Sequence, residues 1–161
     1  MRRIVVSTLV LLATAASAHA AGSVQVSFVK PDSFADVRDG AHRAQDHLAV
    51  LQRHLEEVGA PYLAQGQTLK IEVLDVDLAG EVSHSVRAND VRVLRGRADW
   101  PRLQLRYTLE AAGAASRTGT ATVSDMAYLQ RMPALYANEA LPYERRMLEE
   151  WFKAEFGTAP R

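Results

Sequence analysis

The chain has no cysteine, only three lysines, few aromatic residues and no excess of charge of either sign. Without cysteine there are no disulfides, no thiolate-held zinc or iron–sulfur cluster and no thiol nucleophile. Basic and acidic side chains balance at 19 each, which gives no support to binding of nucleic acid or of an anionic membrane. There is no glycine-rich phosphate loop and no Gly-x-Ser-x-Gly elbow, so neither nucleotide chemistry nor a serine-hydrolase triad has sequence support. One long apolar run occurs, Ile4 to Ala16. It is too short to cross a bilayer, which takes about 20 apolar residues in a helix.

That run is the first informative feature present. Arg2 and Arg3 precede it, and Ala18-His19-Ala20 places small residues at −3 and −1 before Ala21. Residues 1–20 therefore read as a cleaved secretory signal peptide, with Ala16-Ser17-Ala18 a second usable site. No cysteine follows the site to carry a lipid anchor. The expectation is a soluble, disulfide-free periplasmic protein whose residues 21–161 form a single domain. Its stability has to come from burial, which a chain of this size can supply.

The remaining sequence alternates between two periodicities. Val24, Val26 and Phe28 repeat every second residue, as in a strand, before Pro31 stops the run. From about Gly40 to Val58, Ala44, Leu48, Leu51, Leu55 and Val58 form one helical stripe, and Gly59-Ala60-Pro61 ends it, with glycine as a left-handed cap. Leu69, Ile71 and Val73 alternate in the strongest strand, Thr68 to Leu78. Leu74, Val76 and Leu78 then take the opposite parity, as in a strand buried on both faces near its end. Gly80 breaks it. Residues 81–90 are polar and read as a loop, with a short edge strand at Val91 to Leu94. Arg102 to Leu109 and the threonine-rich Thr118 to Val123 read as a hairpin around Gly113. Met126 to Tyr136 reads as a turn region, and Pro142 opens a final helix with apolar Leu141, Leu148, Trp151, Phe152 and Phe156. A strand–helix–strand start implies a parallel pair with a right-handed crossover. The expected architecture is α+β, a mixed four- to five-stranded sheet with both helices on one face.

Candidate chemistry concentrates in Asp75-Val76-Asp77-Leu78-Ala79-Gly80. Alternation places Asp75 and Asp77 on the face of Leu69, Ile71 and Val73, about 7 Å apart. Such a pair can share a cation or a guanidinium, or hold two carboxylates at different pKa values for acid/base work. It can equally be structural, capping loop amides or pairing with arginine. The calcium-loop pattern fails because Ala79 falls where an oxygen ligand belongs. Arg87, Arg92, Arg95, Arg97, Arg102 and Arg106 crowd one stretch, either an anion-binding edge or a solvated face in a chain with 16 arginines. Arg102, held by Pro101 at a strand entrance, is the proposed partner of Asp75 or Asp77. His47 and His54 lie seven apart, whereas helical metal pairs sit at i, i+4. With His42 and His84 placed elsewhere, no metal set emerges. Trp100, Tyr107, Tyr128, Tyr136, Tyr143 and Trp151 fit core or boundary positions better than a sugar platform.

Several of these segments together resemble domain-of-unknown-function family 3016. They are Val26-Ser27-Phe28-Val29-Lys30-Pro31, Phe34-Ala35-Asp36-Val37, Leu69 to Gly80, Val91-Arg92-Val93-Leu94, Trp100-Pro101-Arg102 leading into Leu103 to Tyr107, Ser124-Asp125-Met126 and Tyr143-Glu144. The resemblance implies a short exported proteobacterial protein of one domain and implies nothing about reaction or ligand; no cofactor is expected. The functional expectation is a non-enzymatic domain that binds an envelope protein or small ligand, with Asp36, Asp75, Asp77, Arg102 and Asp125 as the candidate cluster. The alternative is a carboxylate-based hydrolase or cation-binding protein using the Asp75/Asp77 strand end.

Overall fold

Val24, Val26 and Phe28 turn toward the core from strand β1 (Ser23–Phe28), and their polar neighbours Ser23, Gln25 and Ser27 turn away. The structure, a computed structural model, describes residues 22–37, 44–85, 88–130 and 138–157. The expected export segment (residues 1–20), the expected helix start at 40–43 with His42, Arg87 and Tyr136 lie outside the described residues. After β1 come helix α1 (Ala44–Gly59), strand β2 (Gln67–Asp77), strands β3 (Glu81–Ser85) and β4 (Ala88–Val93), strands β5 (Arg102–Ala111) and β6 (Arg117–Ser124), and helix α2 (Pro142–Phe156).

The main sheet has the order β1-β2-β5-β6, with β1 parallel to β2 and the other neighbours antiparallel. Its inner face (Leu69, Ile71, Val73, Leu103, Leu105 and Tyr107) packs in one cluster against Leu51, Leu55 and Val58 of α1 and Met147, Leu148 and Phe152 of α2. This is the α+β, helices-on-one-face arrangement that the two periodicities imply. The opposite face is polar, as one side of a largely antiparallel sheet commonly is. Among the described residues no helix is long and apolar enough to cross a membrane.

Three local readings need correction. Residues 81–90 are not a loop: β3 and β4 pair antiparallel as a separate two-stranded sheet. That hairpin is held by backbone pairing; Val91 and Val93 mark the end of β4 as the expected edge strand, but residues 81–90 lack the apolar alternation that betrays a strand lying on a core. Gly59 is right-handed (φ −79°), and the chain continues from it into a 3-10 turn, Ala60–Tyr62. What requires glycine there is space, because a Cβ would lie 2.6 Å from the Phe152 ring.

The third correction is the most consequential. Val73 pairs with Leu105, but Asp75 rather than Leu74 pairs with Gln104, so Leu74 is an extra residue in a β-bulge. A bulge of one residue exchanges the faces of everything beyond it. Val76 and Leu78 thereby rejoin the core at 0% and 1% exposure, and Asp75 and Asp77 turn out to the polar face. The strand is buried on one face throughout, and the two carboxylates do not extend the apolar row.

Candidate functional site

The bulge sets the geometry of the strand end. Beyond it Asp77 lies opposite Arg102 of β5, and Asp36 forms a parallel bridge with Asp77 on the other side. The Asp36 N–H donates to Val76 O and the Leu78 N–H to Asp36 O, each at 3.0 Å. One row across the polar face thus reads Asp36, Asp77, Arg102, Ser124.

Each of these acids has an internal partner. Arg102 Nη2 donates to Asp77 Oδ2 at 3.0 Å. Asp75 Oδ1 accepts the Ala35 N–H at 2.8 Å. Asp36 accepts from both terminal nitrogens of Arg92, each at 3.0 Å. Arg92 also donates to the Gly80 carbonyl at 2.7 Å, so a single guanidinium ties the Asp36 segment to the turn after β2. Asp125 stands apart from this row: its Oδ1 accepts the Ala127 N–H at 3.0 Å, starting the turn that leads to Tyr128. Its own N–H reaches Pro101 O, next to Arg102.

Burial pushes the Asp77 carboxyl up; Arg102 opposes this, while the like charges of Asp36 and Asp75 add to it. A carboxylate crowded by two others is the expected result of stacking three acids at one strand end.

Two further acids that sequence reasoning did not single out hold the same region. Glu144, in the first turn of α2, is 1% exposed and accepts the Ala79 N–H at 2.8 Å. Burial raises its carboxyl, against the pull of the Ala79 and Glu144 N–H groups and of the Arg92 and His47 charges. Asp99 accepts the Arg95 and Arg97 N–H groups at 2.6 and 2.7 Å and the Tyr128 hydroxyl at 3.0 Å. Burial opposes ionisation of Asp99, but these three donors outweigh it and hold the carboxyl below its usual value. The signal for Asp99 was the tight Arg-Gly-Arg-Ala-Asp turn; for Glu144 there was none, since its partner lies 65 residues away.

His54 is also buried. Its Nε2 donates to Ala140 O at 2.8 Å and its Nδ1 faces Arg145 at 3.4 Å, an arrangement that fits the neutral ring. Burial lowers its pKa accordingly. No three His, Asp or Glu side chains among the described residues gather so as to hold a metal ion.

The polar face itself is a grid. Lys70 pairs with Glu110 at 2.7 Å and Arg106 with Glu72 at 2.6 Å, with Thr108, Thr118 and Thr120 beside them. A depression of about 480 Å³ lies over Gln25, Ser27, Lys70, Glu72 and Thr108. This surface offers alternating donors and acceptors over a rigid backbone.

Comparison with curated proteins and with solved structures gives no match. A family model matches residues 22–154, from the residue before β1 to within α2. The chain belongs to the family described as Protein of unknown function (DUF3016).

Proposed function

We propose that this chain is an exported, periplasmic, non-enzymatic binding domain that presents the open face of its four-stranded sheet to a polar partner in the cell envelope, a glycan or a hydrophilic protein segment. The observation that carries this reading is the division of labour between the polar groups. The acids Asp36, Asp75, Asp77 and Asp125 are each taken up by an internal donor. The exposed side chains of the open face surround a depression that no other described element covers. Export is supported by the signal-like residues 1–20 and by a family match that begins at residue 22. The test is site-specific photo-crosslinking in the periplasm from Thr108, on the open face, against Glu150 on the far side of α2. Adducts from Thr108 alone are expected. No adduct from Thr108 across several growth conditions would sink the proposal.

A hydrolase reading has one observation in its favour, the placing of Asp77 beside Asp36 and Asp75 at one strand end, where burial and like charge push its carboxyl up as a general acid requires. Carboxyl NMR titration of the chain decides it: an Asp77 that titrates like an ordinary aspartate leaves that reading without a general acid.

A further inference from the structure

Strand β6 ends the sheet, and the phase of its ladder can be read from one bond. The Asp125 N–H donates to Pro101 O, in the register that pairs Ser124 with Arg102 and Val123 with Leu103. Along an antiparallel pair, hydrogen-bonded and non-bonded residue pairs alternate. Val123, Ala121, Gly119 and Arg117 therefore bond to β5, and the N–H and C=O groups of Thr118, Thr120, Thr122 and Ser124 point off the edge. Those four residues are exposed, and among the described residues no backbone bond reaches their outer side.

Natural edge strands are commonly blunted by proline, lysine, a bulge or extreme shortness. β6 has eight residues, no proline, no lysine and an unbroken register. Its single charge, Arg117, is drawn beneath the sheet, where it pairs with Glu155 and lies over the rings of Tyr107 and Phe156. Gly119 lies so close to the Tyr107 ring that a Cβ would come within 2.5 Å of it. On the helix side of this edge, Ala121, Trp151 and Phe156 pack on the core yet are only partly buried.

We infer that β6 pairs antiparallel with β6 of a second copy of this chain, joining two four-stranded sheets into one continuous sheet. The strand is self-complementary for that pairing. Opposed antiparallel strands bring outward-pointing groups together only when Thr118, Thr120, Thr122 and Ser124 face one another, so hydroxyl residues meet hydroxyl residues on the open face. Such cross-strand pairs are favourable. On the other face Gly119 and Ala121 are small enough for close approach, and the two copies' Trp151 and Phe156 gain cover beneath the seam. The two Arg117 residues fall at opposite ends, so no like charges meet. The contact is isologous and closes at two copies, with both open faces on the same side.

Light scattering after size exclusion and sedimentation velocity, on the chain expressed with its own N-terminal segment, test this. A species of twice the monomer mass is expected at about 100 μM. Thr120→Pro removes an outward N–H and blocks the edge, and is expected to weaken association at least about tenfold. If that variant misfolds by circular dichroism, a charge pair decides instead. Thr120→Lys with Thr122→Lys is expected to be monomeric, as is Thr120→Glu with Thr122→Glu, and an equal mixture of the two is expected to dimerise. A wild-type chain that stays monomeric at about 1 mM overturns the inference. So does a dimer indifferent to all these changes, or open-ended association through β1.

Discussion

Arg92 holds Asp36 with both ends of its guanidinium and, with the same group, the carbonyl of Gly80. The pair is 14% and 29% exposed, intermediate between a surface bridge and a buried one. Its geometry is bidentate, the arrangement that arginine forms and lysine does not. Arg92→Met leaves a carboxylate and a turn carbonyl without their donor, and is expected to cost about 2–4 kcal/mol. Arg92→Lys should recover less than half of that. Urea unfolding at constant m-value measures both. A loss below about 0.5 kcal/mol for Arg92→Met would show that the turn is held by its backbone alone.

Asp75 and Asp77 look equivalent in sequence and are not so in the fold. Asp75 accepts a backbone N–H, and Asp75→Asn keeps an acceptor oxygen there, whereas Asp75→Ala orphans the Ala35 N–H at about 1 kcal/mol. The Asp77–Arg102 pair is 32% and 42% exposed and is worth at most about 1 kcal/mol. The carboxyl of Asp77 is raised by burial, so the native state holds its proton more tightly than the unfolded chain. Its contribution to stability is greatest in acid and is lost as pH rises through the folded pKa. At pH 7 Asp77→Asn is therefore expected to be neutral or stabilising. Chemical denaturation of the three variants at pH 7 checks the order; a loss above about 2 kcal/mol for Asp77→Asn would mean that the ion pair outweighs the crowding.

Glu144 makes the sharper pH prediction because it is fully buried. Its raised carboxyl means that, from the unfolded value near 4.5 up to the folded value, the native state carries a proton that the unfolded chain has released. Stability from this group is full below 4.5 and is lost as pH rises through the folded pKa. Glu144→Gln keeps an acceptor for the Ala79 N–H. It should be as stable as the parent at pH 7 or up to about 2 kcal/mol more stable, with that advantage vanishing toward pH 4.5. Glu144→Ala, which orphans the N–H, should cost about 1–3 kcal/mol. His54 acts in the opposite sense: its lowered pKa removes stability as pH falls below 6.5. Paired urea curves of parent and Glu144→Gln from pH 4 to 7 cancel the His54 contribution. A difference that does not change with pH would sink the assignment.

What was legible in the sequence is what repeats locally. Leu51, Leu55 and Val58 announce a helix face, and Leu103, Leu105 and Tyr107 a strand face, because each side chain's burial follows from its own period. Of the β3–β4 hairpin only the end of β4 was legible, in Val91 and Val93; β3 and the pairing were hidden because they leave no such period. Asp36–Arg92 was hidden for another reason. The partners are 56 residues apart, and which of six clustered arginines turns inward depends on the path of β4. Asp77 with Arg102 was within reach, since Pro101 marks the strand entrance that brings them level. The facing of both aspartates was lost on a single residue, Leu74, whose status as an insertion exists only relative to β5.

That insertion can be tested by removing it. Deleting Leu74 joins Val73 directly to Asp75 and leaves Val73 opposite Leu105, Asp75 opposite Gln104 and Val76 opposite Leu103 in an unbroken ladder. Asp75 and Asp77 then stay on the polar face, and Val76 and Leu78, at 0% and 1% exposure, stay in the core. The cost is confined to the lost bulge and the contacts of one side chain, so the shortened chain is expected to fold cooperatively within about 1–3 kcal/mol of the parent. A shortened chain that no longer unfolds cooperatively would mean that Leu74 is not the extra residue. Substitution separates the bulge from its side chain. Leu74 lines the open face with Gln104, Thr120 and Thr122, so Leu74→Thr should change stability by less than about 1 kcal/mol. Val73→Thr, one residue earlier and 0% exposed, buries a hydroxyl and should cost about 1–3 kcal/mol. Circular dichroism melts and urea curves of the three variants decide. Equal losses at 73 and 74 would mean that both side chains are buried and that the facing of Asp75 and Asp77 is not set by a bulge.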